Sequence, residues 1–307
     1  MSSNFNYTNI IAVCDDLGCP WLKDEPMSRH TSFRIGGPAD LFVTAVSEKA
    51  LCKLVAALKE ENIPYFVVGN GSNLLVSDEG FRGVVLTLGG ELKKISLEKG
   101  RIIHCGGGVS LASLCAFARD NGLSGLEFAW GIPATAGGAA FMNAGAYGGE
   151  MKNVLVSCSH VDAEGKIGEF SGDELELSYR HSTYHNEENK DKIITSLTLI
   201  LEKGDETQIA AQMDDFMGRR KDKQPLEYPS AGSTFKRPEG HFAGALIEQC
   251  GLKGKSVGGA QVSEKHAGFV INTGNATCKD VLGLVDYIKE TVLREKGVKL
   301  ECEIKMI

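Results

Sequence analysis

Two glycine-rich segments have the residue types of ligand-binding loops. The first glycine loop, residues 69–73, reads Gly-Asn-Gly-Ser-Asn and directly follows a predicted strand at 64–68. Glycine permits positive φ and leaves the backbone bare, and successive N–H groups in such a turn can bind an anion. Ser72 and Asn73 add side-chain donors. A simple tight turn explains this loop equally well when it is considered alone.

The second segment, residues 131–148, is called the small-residue segment below. It consists mainly of glycine and alanine and contains no charged residue. Such a composition is unsuited to a solvated loop and packs poorly as core. It favours backbone lying flat against a large rigid ligand, with Thr135 and Asn143 as candidate hydrogen-bonding residues.

Other signatures of common chemistries are absent from the sequence. No G-x-G-x-x-G, H-E-x-x-H or G-x-S-x-G occurs, which argues against a Rossmann dinucleotide site, a metalloprotease and an α/β-hydrolase. Residues 254–256 end like a P-loop, but Gln249 stands where its first glycine belongs. His181 and His185 are four residues apart without a third ligand, so no metal site is predicted.

The composition excludes several classes of partner and location. The net charge is −7, so no global basic field exists to hold nucleic acid or anionic lipid. No apolar run approaches the roughly 20 residues of a membrane span, and the amino terminus lacks a secretion signal. The nine cysteines form no C-x-x-C pair. We therefore expect a cytoplasmic protein with buried, reduced thiols, and neither a nucleic-acid nor a membrane partner.

The elements that would position these loops follow from apolar periodicity and caps. Helices are predicted at 48–62, after the N-cap Ser47, and at 110–121, 205–221, 241–250 and 277–296. Strands are predicted at 84–88, 94–97, 102–105, 192–201, 256–262, 267–272 and 298–306, with a hairpin turn at 162–166. The first thirty residues show little periodicity. A domain boundary is expected near residue 204, giving domains 1–204, itself split near 70–75, and 205–307.

The order of three motifs is similar to that of a known family. Residues 31–37 (Thr-Ser-Phe-Arg-Ile-Gly-Gly), 69–75 and 131–148 occur as in the UDP-N-acetylenolpyruvoylglucosamine reductases, and the resemblance extends from about Ser28 to the carboxyl terminus. It implies an α+β fold: an FAD-binding domain of the vanillyl-alcohol-oxidase type plus a small α+β substrate-binding domain. It also implies NADPH-dependent reduction of UDP-N-acetylglucosamine enolpyruvate. FAD should be noncovalent, because neither glycine-rich segment contains a histidine.

The resemblance assigns the site residues position by position. Residues 178–182, 224–238 and 300–304 match the motifs that make Arg180, Ser233 and Glu303 the expected catalytic set, with Arg180 as carboxylate clamp, Ser233 as general acid and Glu303 assisting. The expected cofactor residues are Gly69, Asn70, Gly71, Ser72, Asn73, Gly131, Ile132, Pro133, Thr135, Gly137, Gly138, Ala139 and Asn143. The expected substrate residues are Arg220, Lys223, Lys236, Arg237 and His266.

Alternatives remain open on sequence grounds. Any one of Arg180, Ser233 and Glu303 taken alone is more often an ordinary surface residue. The rival functions are another flavoenzyme of the same fold that oxidises an alcohol, lactone or hydroxy acid, and a nucleotide-sugar sensor without turnover. Residues 202–227 contain no tyrosine, which resembles the shorter subtype of the family. Ala134-Thr135 replaces a Gly-Ser pair common in the family.

Overall fold

Helices and short strands alternate along the chain, which the computed structural model describes over residues 5–307. Residues 1–4, part of the region judged for a secretion signal, lie outside the described residues. Within residues 5–307 there are seven α-helices: α1 (Thr8–Leu17), α2 (Glu48–Glu60), α3 (Leu111–Asp120), α4 (Ala136–Phe141), α5 (Glu206–Lys223), α6 (Ala243–Gln249) and α7 (Cys278–Lys296). Over the same residues, none of these helices is long and apolar enough to cross a lipid bilayer.

The strands are short, and several have only two residues. They are β1 (Trp21–Pro26), β2 (Pro38–Ala45), β3 (Tyr65–Val67), β4 (Leu74–Leu75), β5 (Phe81–Leu88), β6 (Ile95–Glu98), β7 (Ile102–Gly106), β8 (Leu123–Ser124), β9 (Gly145–Ala146), β10 (Gly149–Glu150), β11 (Leu155–Val161), β12 (Ile167–Ser171), β13 (Ile193–Ile200), β14 (Glu202–Lys203), β15 (Ser256–Val257), β16 (Ala260–Val262), β17 (Val270–Asn272) and β18 (Lys305–Met306).

Capping residues set the limits of the predicted helices. The Ser47 hydroxyl accepts a hydrogen bond from Ala50 N at 3.2 Å and begins α2. Thr277 and Asp280 form a capping box that begins α7, and Gly297 ends that helix in the left-handed conformation. These contacts satisfy backbone groups that a helix end otherwise leaves without partners. The helices predicted at 48–62 and 277–296 are therefore confirmed.

The largest sheet has five antiparallel strands in the order β12-β11-β13-β7-β6. Its predicted hairpin closes through a hydrogen bond from Asp162 N to Lys166 O at 2.9 Å. The sheet shares one apolar core with α3 and α4, and Ala136, Ala139 and Ala140 of α4 are buried in it. This part of the small-residue segment therefore packs as core, contrary to expectation, because alanine lets α4 lie close to the backbone of neighbouring elements.

Two further sheets complete the main architecture. Strands β1-β2-β5-β3 form a four-stranded sheet, in which β3 and β5 are parallel. A core of buried residues from α1, α2, β2 and β5 lies beside it. In the carboxyl-terminal part, the antiparallel sheet β15-β16-β17 packs with α6 and α7. Strand β18 pairs in parallel with β4, which joins residues 305–306 to residues 74–75.

The chain divides into two compact units. The first comprises residues up to Lys23, Leu41–Gly69 and Arg82–Gly218, and the second comprises Asp24–Asp40, Asn70–Phe81 and Arg219–Ile307. The division falls within α5 and places two early segments with the carboxyl-terminal part. The functional-domain boundary near residue 204 stays a prediction.

Three secondary-structure predictions were wrong. Helix α1 occupies the region expected to lack periodicity, with Ile10 and Cys14 buried one turn apart. The strand expected at 256–262 is divided by Gly258-Gly259, where Gly258 adopts φ +53°. The strand expected at 298–306 is reduced to β18, because residues 301–303 pair with residues 234–236 and residues 305–307 pair with residues 73–75 instead.

Most of the thiols lie in the interior, as expected. Six of the nine cysteines are buried. Burial raises the pKa of Cys105 and Cys115 to about 12. Such thiols remain protonated and unreactive near neutral pH.

Candidate active site

Ser233 and Glu303 lie on two segments of the second unit that are hydrogen-bonded to each other. Glu303 N donates to Thr234 O at 2.9 Å, and Lys236 N donates to Glu301 O at 2.9 Å. Gly232 adopts φ +75° immediately before Ser233, which reverses the chain there. The structure therefore places the predicted general acid and the predicted assisting carboxylate on neighbouring strands of backbone.

The first glycine loop borders the segment that carries Glu303. Asn73 Nδ2 donates to Glu303 O at 3.1 Å, and Lys305 N donates to Asn73 O at 2.9 Å. Gly71 adopts φ +60°, and a Cβ on it would collide with His30 O. Only glycine fits at position 71, as the loop interpretation requires.

Residues 31–37, which carry part of the resemblance, hold the same loops in place. Ser32 N donates to Gly71 O at 3.2 Å, and the Ser32 hydroxyl donates to Ser230 O at 2.6 Å. Asn272 Nδ2 donates to Phe33 O at 3.1 Å. This motif thus connects the first glycine loop to the serine-containing loop within the second unit.

In the first unit, Gly69 and Thr135 are in direct contact. A Cβ on Gly69 would collide with Thr135 Oγ1, and a Cβ on Gly137 would lie 3.0 Å from Gly107 O. The Thr135 hydroxyl accepts from Gly138 N at 3.2 Å and caps α4. The backbone of Gly137 thus lies against that of Gly107, and Gly69 lies against the Thr135 side chain. Such a close approach at glycines fits a site for a large planar group such as FAD.

The other predicted cofactor residues differ in exposure. Gly131 adopts φ +82°, and Ile132 packs against the core of the first unit. Pro133 and Gly138 are exposed, whereas the side chain of Ala139 is fully buried in protein. Asn70 and Ser72 belong to the second unit, at least partly exposed. Gly131, Pro133 and Gly138 are thus at least partly exposed, whereas the Ala139 side chain is not.

Arg180 lies in a tight turn of the first unit, residues 178–181, called the Arg180 turn below. Ser178 and His181 exchange both backbone hydrogen bonds, at 3.2 and 3.1 Å. Arg180 itself adopts φ +54°, which is unfavourable for a residue with a Cβ. Its guanidinium lies 5.2 Å from the centre of the Tyr179 ring.

The Asn143 side chain is fully buried beside this turn. Its Nδ2 donates to Glu150 Oε2 and to Ser178 O, both at 2.9 Å, and its Oδ1 accepts from Lys152 N at 2.9 Å. Both amide hydrogens are used within the protein. The side chain therefore holds protein groups with both of its donors, and a contact of Asn143 with the cofactor stays a prediction.

The predicted substrate residues all lie in the second unit. Arg220 is largely buried, and its Nη1 donates to Gln224 Oε1 at 3.2 Å, whereas Lys223 is exposed. Lys236 pairs with Glu301 at 3.6 Å, and Arg237 lies over the Phe242 ring at 4.5 Å. Whether these cations contact the substrate stays a prediction.

His266 has a defined protonation state in this unit. Burial lowers its pKa, and its Nδ1 accepts a hydrogen bond from Gly268 N at 3.0 Å. The ring is therefore neutral near pH 7 with its proton on Nε2. A neutral N–H donor suits a carbonyl or hydroxyl group of a ligand better than it suits a phosphate.

Tyr147 and Lys305 are not among the site residues predicted from the sequence, but their environments are distinctive. Tyr147, in the small-residue segment, stacks on Phe216 with ring centroids 4.6 Å apart and remains partly exposed. Burial, reinforced by the charge of Lys236, lowers the pKa of Lys305 to about 8. Within residues 5–307, no three His, Cys, Asp or Glu side chains are grouped to hold a metal ion.

Comparisons with known proteins agree with this arrangement. A family model for the UDP-N-acetylenolpyruvoylglucosamine reductase C-terminal domain matches residues 224–307, and an FAD binding domain model matches residues 39–171. A UDP-N-acetylenolpyruvoylglucosamine reductase from Caldanaerobacter subterraneus subsp. tengcongensis is 50% identical over 284 residues, covering 92% of both chains. The protein of that name from Agathobacter rectalis is 49% identical over 297 residues, covering 93% of both.

A solved structure extends the comparison to the fold. The crystal structure of UDP-N-acetylenolpyruvylglucosamine reductase from Thermus caldophilus superposes with a TM-score of 0.80 at 36% identity, covering 94% of this chain and 98% of that one. The expected fold class, an FAD-binding domain with a small α+β domain, is thereby confirmed. The chain belongs to the UDP-N-acetylenolpyruvoylglucosamine reductase family.

Proposed function

We propose that the chain reduces the enolpyruvyl ether of UDP-N-acetylglucosamine enolpyruvate to UDP-N-acetylmuramate, a precursor of peptidoglycan. Relatives at about half identity carry the name of this activity over nearly their whole length. The FAD binding domain match supplies the cofactor class. NADPH is the hydride donor of the overall reaction.

The single observation that carries the catalytic assignment is the backbone bond between Glu303 N and Thr234 O, at 2.9 Å. This bond holds Thr234, the residue after Ser233, next to Glu303. Two residues that stand 70 positions apart in sequence, each on a different matched motif, are thus held side by side in the second unit. Chance surface positions have no reason to pair in this way.

Bound FAD would supply the hydride, taken from NADPH, that reaches the terminal methylene carbon of the enolpyruvyl group. Negative charge then develops on the adjacent carbon and its carboxylate. Arg180 would bind that carboxylate through two parallel N–H donors and remain charged throughout. Donors oriented toward developing charge are each worth about 3–4 kcal/mol at the transition state.

Ser233 would deliver the proton that completes the reduction at the ether carbon. A serine hydroxyl is a weak acid, so its surroundings must stabilise the alkoxide that remains. Lys236, three residues after Ser233, and Lys305, two residues after Glu303, carry positive charge on the two paired segments, and that charge favours the alkoxide. Glu303 would assist by stabilising or protonating the enol form.

The test separates the two half-reactions by stopped-flow spectroscopy. In Ser233→Ala, reduction of the flavin by NADPH should stay near normal, because no proton is delivered to carbon in that step. Reoxidation by the enolpyruvyl substrate should slow by about 10²–10⁴-fold, the usual contribution of a general acid. Ser230→Ala, three residues earlier in the same loop, is the matched control and should leave both rates near normal.

Three results would contradict the proposal. Equal impairment of both half-reactions in Ser233→Ala would indicate damage to the fold or to flavin binding. Reoxidation by oxygen but not by the enolpyruvyl substrate in the unaltered protein would favour an oxidase of the same fold. A colourless purified protein that binds the nucleotide sugar without turnover would favour a sensor.

A further inference from the structure

The Asn143 side chain makes three hydrogen bonds that only an amide of this length satisfies. Two neighbours, Glu150 Oε2 and Ser178 O, accept hydrogen bonds, and the third, Lys152 N, donates one. Lys152 Nζ also pairs with the other oxygen of this carboxylate, Glu150 Oε1, at 2.6 Å. A side-chain amide offers two donors for the two acceptors and an acceptor for Lys152 N, whereas a carboxylate offers acceptors alone.

One of these bonds reaches the Arg180 turn. Ser178 O, which closes the turn by accepting from His181 N, also accepts from Asn143 Nδ2. On the other side of the turn, the Ser182 hydroxyl donates to Phe141 O at 2.6 Å. The turn is therefore attached at both ends to residues 141–143 of the small-residue segment.

The turn needs such anchors because of its backbone conformation. Arg180 adopts φ +54°, a region that costs an L-residue with a Cβ energy of about 1–2 kcal/mol. A strained conformation persists only where the surrounding structure holds it. Without the bond from Asn143, Ser178 O would lose one of its two donors and the turn could relax toward negative φ.

We propose that Asn143 is a positioning residue for Arg180: it ties the Arg180 turn to the small-residue segment and so fixes the guanidinium at the site of hydride transfer. This proposal rests on the proposed function, in which Arg180 binds the substrate carboxylate. The role is distinct from the cofactor contact expected from the sequence. In this role Asn143 acts through its side-chain hydrogen bond to Ser178 O.

The substitution that tests it is Asn143→Asp. Aspartate keeps the size and the acceptor for Lys152 N, and it tolerates the left-handed conformation that Asn143 adopts, φ +40°. It removes both donors and places a carboxylate beside Glu150. The matched control is Asn153→Asp, the same change in the same network: the Asn153 side chain accepts from Glu150 N at 2.9 Å, and its backbone N–H donates to the Glu150 side chain, a bond that the substitution keeps.

The expected result is confined to the substrate half-reaction. Asn143→Asp should slow reoxidation by saturating enolpyruvyl substrate by roughly 10- to 100-fold, because displacement of a clamping group by about 1 Å has effects of this size. Reduction of the flavin by NADPH should change by less than about twofold, and Asn153→Asp should change both rates by less than about twofold. A role limited to general folding would slow both half-reactions together.

A double-mutant cycle with Arg180→Ala identifies the route of the effect. Once the guanidinium is absent, Asn143→Asp should slow reoxidation by less than about threefold further, since the group that it positions is gone. If Asn143→Asp slows reoxidation by its full factor in the Arg180→Ala protein as well, the proposal is overturned. An equal loss in both half-reactions, which would indicate a direct contact with the cofactor, would overturn it too.

Failure of the proposed function has a different signature. Arg180→Ala with a near-normal rate of reoxidation would refute the carboxylate clamp, and with it this inference. If Arg180→Ala slows reoxidation, but Asn143→Asp slows it by the same factor with and without Arg180, the positioning role alone is refuted. If Asn143→Asp yields no folded yellow protein, Asn143→Gly, which removes the amide without adding a charge and suits φ +40°, enters the same cycle, and additivity there would overturn the proposal equally.

Discussion

Lys305 is expected to destabilise the folded protein at neutral pH. It lies two residues after Glu303, pairs through its backbone with Asn73, and is partly buried. Burial, and secondly repulsion from Lys236, lowers its pKa from 10.5 to about 8. When the pKa of an amine is lower in the folded state than in the unfolded chain, protonation of the amine lowers the free energy of unfolding.

The sign and the pH window follow from these two values. Above about pH 10.5 the amine is neutral in both states and costs nothing. The cost grows as the pH falls from about 10.5 to about 8 and is fully present below pH 8. At 1.36 kcal/mol for each pKa unit, the fall from 10.5 to about 8 gives an upper limit of about 3.4 kcal/mol. Because the side chain is partly exposed, screening by solvent reduces this to about 1–2 kcal/mol.

The assay is urea unfolding of Lys305→Met at pH 7 and pH 10, with FAD at one fixed excess. The variant should gain about 1–2 kcal/mol in the free energy of unfolding at pH 7 and only about 0.5–0.8 kcal/mol at pH 10, where part of the cost remains because the pH is still below 10.5. Lys299→Met, an exposed lysine of the same segment, is the control and should change little at either pH. An equal gain at both pH values would refute the reasoning, since apolar burial rather than charge would then explain it.

Two further predictions concern the first glycine loop and the cofactor. Asn73→Asp should slow reoxidation by the enolpyruvyl substrate more than reduction by NADPH, because it removes the donor to Glu303 O; stopped-flow rates of both half-reactions check this, and an unchanged reoxidation rate would contradict it. Acid precipitation of the holoprotein should release all flavin to the supernatant, because neither glycine-rich segment contains a histidine for covalent attachment; flavin absorbance in the washed precipitate would show the opposite.

The sequence predicts the elements whose signals are local. Ser47 and Thr277 are N-caps followed by apolar faces, so α2 and α7 could be read directly from residue types and spacing. Helix α1 has only Ile10 and Cys14 buried and lacks a side-chain N-cap, so its ten residues give too little periodicity for a helix to be predicted.

Long-range pairing of very short strands leaves no local signal in the sequence. Strand β18 has two residues and pairs with β4, some 230 positions earlier in the chain. A two-residue strand shows no alternation, so neither its existence nor its partner can be inferred from periodicity. The membership of residues 70–81 in the second unit depends on this pairing and on Asp78, whose carboxylate accepts from Cys278 N and Lys279 N.

The glycine-rich loops show where residue type alone is ambiguous. An asparagine in such a loop can donate to a ligand or to a carbonyl of the protein, and the sequence cannot distinguish the two. In the first unit, Asn143 donates to Ser178 O beside Arg180, and in the second, Asn73 donates to Glu303 O. Asn73 thus holds the backbone of Glu303, and Asn143 holds that of Ser178, two residues before Arg180. Reduction of a carbon by hydride and proton requires the proposed catalytic side chains to keep a fixed geometry, and each of these hydrogen bonds contributes to that constraint.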